Sequence, residues 1–180
     1  MPDEKLKLTY DDYCALPDDG RRYELLDGEL SVTPSPATPH QRTSRGLFRI
    51  LDAHVEAKRL GEVFFSPFDV ILDRSTVIQP DIVFVDASRA GVVTARAVEG
   101  PPTLAVEVLS PSSQRLDRVT KLALYARFGV PHVWIVDPVA RTIECYETET
   151  GRISRIDWPE AGRLTPFGEL DIDPRAIWPA

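Results

Sequence analysis

Two apolar runs, LAVEVLSP at 104–111 and HVWIVDP at 132–138, flank a stretch that reads as a helix over roughly 114–128 and stops at Gly129 and Pro131. Continuous apolar runs of this length are strands covered on both faces, and a helix between two of them makes a strand–helix–strand unit. Such a unit needs helices laid over a sheet, so the chain reads as a three-layer α/β domain. Glu107 is out of place in the first run. Alternation puts Ala105, Glu107 and Leu109 on one face and Leu104, Val106 and Val108 on the other, and both faces are apolar. Taking an ionised carboxylate out of water is costly unless a partner or a metal compensates.

The rest of the chain supplies the other layers. Residues 9–16 read as a short helix ending at Pro17, and YELLDGELSVT as a β-hairpin that turns at Asp27-Gly28. A long helix is expected from about His40 to Leu60, with Leu47, Ile50, Leu51 and Val55 at helical spacing and Gly61 as its stop. EVFFSPFDVILD, interrupted by Pro67, and IQPDIVFVD read as two strand runs, followed by a loop around 91–102. Ser110, Ser112 or Ser113 is expected to cap the 114–128 helix. TIECYET and RISRIDW are shorter strands before an irregular 160–180. The expectation is a mixed central sheet between helices, with the N-terminal hairpin added, in a single domain over 1–180.

Charge narrows the partners. A net charge of −7 argues against a broad basic surface that binds nucleic acid by electrostatics alone. It leaves room for a nuclease whose acidic site is neutralised by a divalent cation. Seventeen arginines stand against four lysines, so a lysine away from the termini, such as Lys121, draws notice. No apolar run approaches the ~20 residues of a membrane span. MPDEKLKLTYDDY lacks the apolar centre of a signal peptide, so no membrane partner and a cytoplasmic location are expected. Cys14 and Cys145 read as two reduced thiols.

A second acid stands beside the first. Asp81 follows Pro80 at the start of a buried run, where sheet pairing begins. Two carboxylates on neighbouring strands repel unless something positive lies between them, and Mg²⁺ is held by one or two carboxylates together with substrate phosphate and water. The plainer readings are an arginine partner or a strand end that reaches solvent for Glu107, and a cap or turn role for Asp81. Lys121 lies with Asp117, Leu124, Tyr125 and Phe128 on one helical stripe, at the edge of the buried face. It can meet a phosphate oxygen or position a water, or simply pair with Asp117 at the helix surface. His40 opens the long helix on the stripe of Ser44, Leu47 and Leu51. Glu24 in the hairpin reaches the same acids or pairs with Arg21 or Arg22, and Gln79 precedes Pro80-Asp81 where it could orient a water. Packing accounts for His54 and His132.

The order PD, twenty-five residues, EVL resembles the signature of the PD-(D/E)XK nuclease superfamily, with its restriction-endonuclease-like fold. YELLDGEL, PSPATPHQR, QPDIVFVD, AVEVLSPSS, DRVTKLALYARFGVPHVWIVDP and YE, in that order over about 10–147, more closely resemble the Uma-type family of "putative restriction endonucleases". The resemblance implies an αβββαβ core at about 10–147, a C-terminal strand extension over 148–180, and Asp81 and Glu107 binding Mg²⁺ or Mn²⁺. One position departs from the superfamily pattern: the lysine two residues after the glutamate is Leu109. The Uma-type pattern implies that this lysine has moved to the next helix, as Lys121, with Asp117 aiming it.

The expected function is therefore metal-dependent hydrolysis of phosphodiester bonds in DNA, with Asp81, Glu107 and Lys121 as the catalytic set and His40, Glu24, Gln79 and Asp117 as accessories. The resemblance also implies a homodimer. The alternative is a nuclease-like fold serving as a binding or assembly module, which the acidic charge and the missing strand lysine favour. A carboxylate-pair glycosidase lacks a recognisable sugar platform.

Overall fold

The computed structural model describes residues 7–178. Residues 1–6, on which half of the leader reading rests, and 179–180 lie outside the described range. Within it, no helix is long and apolar enough to cross a membrane.

The chain opens with α1 (Tyr10–Cys14) and the hairpin β1 (Arg22–Leu26) and β2 (Glu29–Thr33). Asp27 and Gly28 both take positive φ (53° and 83°), the two-residue geometry whose twist matches that of the flanking strands. Helix α2 (Thr38–Lys58) follows. It is ended by Arg59 in the left-handed conformation, so Gly61 is not its stop. Gly61 instead opens β3 (Gly61–Phe65), where a Cβ would stand 2.0 Å from the Val85 carbonyl oxygen. The glycine is there for a close backbone approach.

The two strand runs expected around Pro67 and Pro80 are four strands: β3, β4 (Asp69–Asp73), β5 (Thr76–Ile78) and β6 (Ile82–Asp86). They belong to two mixed sheets rather than one. The expected 91–102 loop contains β7 (Ala97–Glu99), preceded by a 3₁₀ turn over Ala87–Val92. β8 (Leu104–Val108), β9 (His132–Asp137), β10 (Thr142–Glu147) and β11 (Arg152–Asp157) complete the strands. One sheet has the order β11-β10-β9-β8-β6-β3 and the other β2-β1-β5-β4-β7. The αβββαβ core is α2, β3, β6, β8, the helix after β8, and β9, with β4, β5 and β7 diverted into the second sheet.

β8 and β9 pair in parallel, with Glu107 opposite Ile135, and the helical crossover between them runs over 114–127. Its middle, Leu116–Lys121, is π-helical, and α3 (Leu122–Arg127) is the regular last part. Widened turns of this kind frequently occur at functional sites. Ser110 and Ser113 do not cap this helix; they bond each other across the preceding turn, at 2.9 Å between hydroxyls. The tail expected to be irregular carries a short helix, α4 (Pro174–Ile177), and an isolated bridge between Gly162 and Ile172.

The face predicted for Leu104, Val106 and Val108 packs on Leu47, Leu51 and Val55 of α2. Ala105 and Leu109 lie on the other side, against Leu124 and Tyr125 of α3. α2, the six-stranded sheet and α3 are therefore the three layers, and Glu107 projects into the α3 side. The alternate residues Val83 and Val85 of β6 pack on Val70 and Val98 of the second sheet.

Candidate active site

Strand direction brings the two acids together. β6 runs antiparallel to β8, with Ile82 opposite Val106, so the start of β6 meets the end of β8. Asp81 sits one residue before β6. Its N–H donates to the Val106 carbonyl at 2.9 Å, and its Oδ2 accepts from the Val108 N–H at 2.7 Å. The Asp81 carboxylate is thus fixed on the backbone next to Glu107, and both line one cavity of about 150 Å³ at that end of the sheet.

Each acid has its own partners. Nε2 of His40, on the first turn of α2, lies 3.2 Å from Asp81 Oδ2, and Arg22 Nη1 lies 3.3 Å from Oδ1. Burial alone would raise the Asp81 pKa; the hydrogen bond and charge from His40, the Arg22 guanidinium and the Val108 N–H overcome it and hold the carboxyl below its usual range. Glu107 accepts from the Tyr125 hydroxyl at 2.5 Å and from Lys121 Nζ at 3.2 Å. Here burial prevails over the attraction of Lys121, with Asp117, Asp81 and Glu24 adding repulsion, and the carboxyl is pushed up to about 8.

Lys121 lies deeper than the edge of the buried face, where its helical stripe placed it: it is 3% exposed. Its ammonium stands 2.9 Å from Glu24 Oε1, 3.2 Å from Glu107 Oε2 and 3.4 Å from Asp117 Oδ1. Burial favours the neutral amine, but these three carboxylates outweigh it and hold the pKa above the ordinary lysine value. Lys121 is a fixed positive charge. Glu24 arrives from the second sheet because β5 passes to β6 through Gln79-Pro80-Asp81, and the Gln79 N–H donates to Glu24 Oε1 at 2.8 Å.

Glu24, His40, Asp81, Glu107, Asp117 and Lys121 therefore converge. The Gln79 side chain does not. Its amide donates to Asp69 at 2.7 Å and to the Tyr13 hydroxyl at 3.2 Å, away from the cavity, because the turn into β6 commits its backbone to Glu24. His54 packs edge-on against Phe167, at 5.7 Å between ring centroids, and His132 is half-buried at the start of β9; neither lines the cavity of the acids.

Sequence reasoning missed two residues. Arg22 pairs with Asp81 and donates to the Gln79 carbonyl, instead of pairing with Glu24. Its position two residues before Glu24 puts both on one strand face, which was a usable signal. Tyr125 sits one helical turn beyond Lys121 on the same stripe, and the need of a buried tyrosine hydroxyl for a partner was a usable signal. Among the described residues, no three His, Cys, Asp or Glu side chains form a ready-made metal cluster.

The sequence model of the Uma2 family, described as "Putative restriction endonuclease", matches residues 10–170. The chain belongs to the Uma2 family. The match extends past the sequence-level blocks through β10 and β11 into the tail. Comparison with curated proteins returns no match. Among solved structures, a crystal structure of a "putative nuclease" belonging to DUF820 from Anabaena variabilis superposes with a TM-score of 0.80. It covers 94% of this chain and 97% of the other at 19% identity. That likeness shows the shared restriction-endonuclease-like fold of this Uma2 member.

Proposed function

We propose that this chain is a divalent-metal-dependent endonuclease that hydrolyses phosphodiester bonds in DNA. The observation that carries the reading is a surplus of buried carboxyl groups over permanent cations. Four buried carboxylates, Glu24, Asp81, Glu107 and Asp117, share one site with two permanent cations, Arg22 and Lys121. Burial, with that surplus adding repulsion, pushes Glu107 up to about 8, so it holds a proton in the metal-free site. A hard divalent cation with oxygen ligands would take that proton's place, and Mg²⁺ needs only one or two carboxylates beside water and phosphate. Asp81 and Glu107 are the residues that would hold Mg²⁺ or Mn²⁺. When bound, such an ion polarises the phosphodiester and lowers the pKa of the attacking water.

The chain's own residues have distinct parts in this reading. The Val108 N–H and His40 orient Asp81, and the Tyr125 hydroxyl orients Glu107. Lys121 keeps its proton, so it serves as a point charge that steadies a water or a phosphate oxygen and not as the base. Asp117 and Glu24 hold that ammonium in place. Leu109, where the superfamily lysine is missing, is buried among Leu124 and Tyr125, so the charge is delivered from the helix side of the same cavity. The family descriptions, which are of nucleases, support the reaction class, and the homodimer is proposed on the same family resemblance.

Cleavage of supercoiled plasmid and labelled oligonucleotides with Mg²⁺ or Mn²⁺ tests the reading. Wild type is expected to cut, whereas Asp81→Ala and Glu107→Ala lose both cutting and the metal-induced rise in melting temperature. Metal binding without cleavage of any DNA would instead support the binding or assembly module.

A further inference from the structure

A second cleft, of about 580 Å³, opens beside the acids and shares Arg22, His40 and Asp81 with their cavity. Its size lies within the about 300–1,000 Å³ usual for small-ligand pockets. One wall is the first half of α2 and the other is the end of β3. Glu107, Asp117 and Lys121 line only the smaller cavity, so the cleft leaves room for a further part of a ligand held at Asp81.

Two features of its walls bear on what it could hold. Arg42, Arg45 and Arg49 follow one stripe of α2, the first two lining the cleft, and no acidic residue occurs between 38 and 51. Among the described residues none of the three arginines has an ion-pair or hydrogen-bond partner, and two of them line the same cleft. On a chain of net charge −7 this is a local cationic strip. It spans about 10 Å of helix at 1.5 Å per residue. The second feature is Phe65, 63% exposed on the opposite wall. Its ring packs against Phe48, at 5.0 Å between centroids and 69° between planes, and lines the cleft.

Uncommitted guanidinium groups suit phosphates, and an exposed aromatic face suits a base, whatever its sequence. A base inside a duplex already has both faces stacked and can offer Phe65 nothing. We propose that this cleft holds an unpaired nucleotide of the strand being cut, its base stacked on Phe65 and its flanking phosphates on Arg42 and Arg45. The inference rests on the nuclease reading for its substrate and adds that the preferred substrate is single-stranded or locally unpaired DNA.

Fluorescence anisotropy of labelled dT12, with the full chain in metal-free buffer, reads this without any cleavage. Wild type should bind dT12 more tightly than a 12-base-pair duplex. Phe65→Ala should weaken dT12 binding about tenfold, in line with the loss of one stacked base. The duplex should change less than about twofold. Phe65→Trp should restore the affinity, with its added fluorescence quenched by dT12. Arg42→Ala with Arg45→Ala should flatten the salt dependence of dT12 binding by about 1.4 in log–log slope, the value for two single-strand phosphates. Undetectable dT12 binding, unchanged affinity in Phe65→Ala, or a duplex bound as tightly as dT12 would each overturn the proposal. Binding as described by a wild type that cuts nothing with Mn²⁺ would overturn the nuclease reading and leave the cleft assignment standing.

Discussion

Lys121 Nζ stands 2.9 Å from Glu24 Oε1 and 3.2 Å from Glu107 Oε2, an ammonium shared between the hairpin of one sheet and the central strand of the other. It joins the two sheets at the site by charge and by a hydrogen bond to Glu107. Asp117, one helical turn away at 3.4 Å, completes its surroundings.

Removing that charge leaves buried carboxylates uncompensated, which typically costs about 3–5 kcal/mol. Lys121→Met should therefore lower the urea midpoint of the metal-free protein by a comparable free energy. Added Mn²⁺ should stabilise the variant more than wild type, because a second cation relieves the same repulsion. Cleavage should fall about 100-fold or more while Mn²⁺ binding persists. Equal cleavage by wild type and variant would remove Lys121 from the reaction.

Tyr125→Phe keeps the ring in the α3 side of the core and deletes the hydroxyl that Glu107 accepts from at 2.5 Å. A buried acceptor left without its donor costs about 1–3 kcal/mol. Outer partners of metal ligands are typically worth about 10–100-fold in metal affinity. Calorimetric titration with Mn²⁺ should show that loss, with circular dichroism unchanged.

The Glu107 carboxyl, pushed up to about 8 by burial, is protonated in the folded protein at neutral pH, whereas unfolded glutamate ionises near about 4.3. The native state therefore binds the extra proton between those values, and metal-free stability should fall as pH rises through that window. Asp81, held below its usual range, acts oppositely: its contribution is present above the unfolded value and is lost as pH falls through the folded one. Mn²⁺ binding should release close to one proton near pH 7 and almost none at pH 9. Titration in buffers of different ionisation enthalpy counts that proton.

Gly61→Ala tests the close approach of β3 to β6. A Cβ 2.0 Å from the Val85 carbonyl oxygen cannot be accommodated without moving the strand, so a loss of about 3 kcal/mol is expected in chemical denaturation. Gly129→Ala meets no atom within 4 Å and is limited to the smaller strain of its positive φ (74°).

The strand–helix–strand unit was legible because apolar runs on both sides of a helix-length stretch admit few arrangements. Glu107 stood out for the same reason, as a charge inside a strand that packs on both faces, and Asp81 as a charge at the threshold of another. Two things were not legible. EVFFSPFDVILD and IQPDIVFVD divide between two sheets, since pairing partners are set by contacts between distant segments and not by local pattern. Likewise, Gln79 could be placed next to Asp81, but the direction of its side chain depends on Asp69 and Tyr13, which only the fold brings near. Arg22 and Tyr125 lay within reach of strand alternation and helical spacing. Each contacts one of the two acids, Arg22 at Asp81 and Tyr125 at Glu107.

The most direct test of the shared cation is the anomalous difference map of a crystal soaked in Mn²⁺. One peak should appear in the cavity of Asp81 and Glu107, within ligand distance of an oxygen from each. A map with no peak there, or with its peak at other residues, while Asp81 stays on His40 and Arg22 and Glu107 on Tyr125 and Lys121, would contradict it.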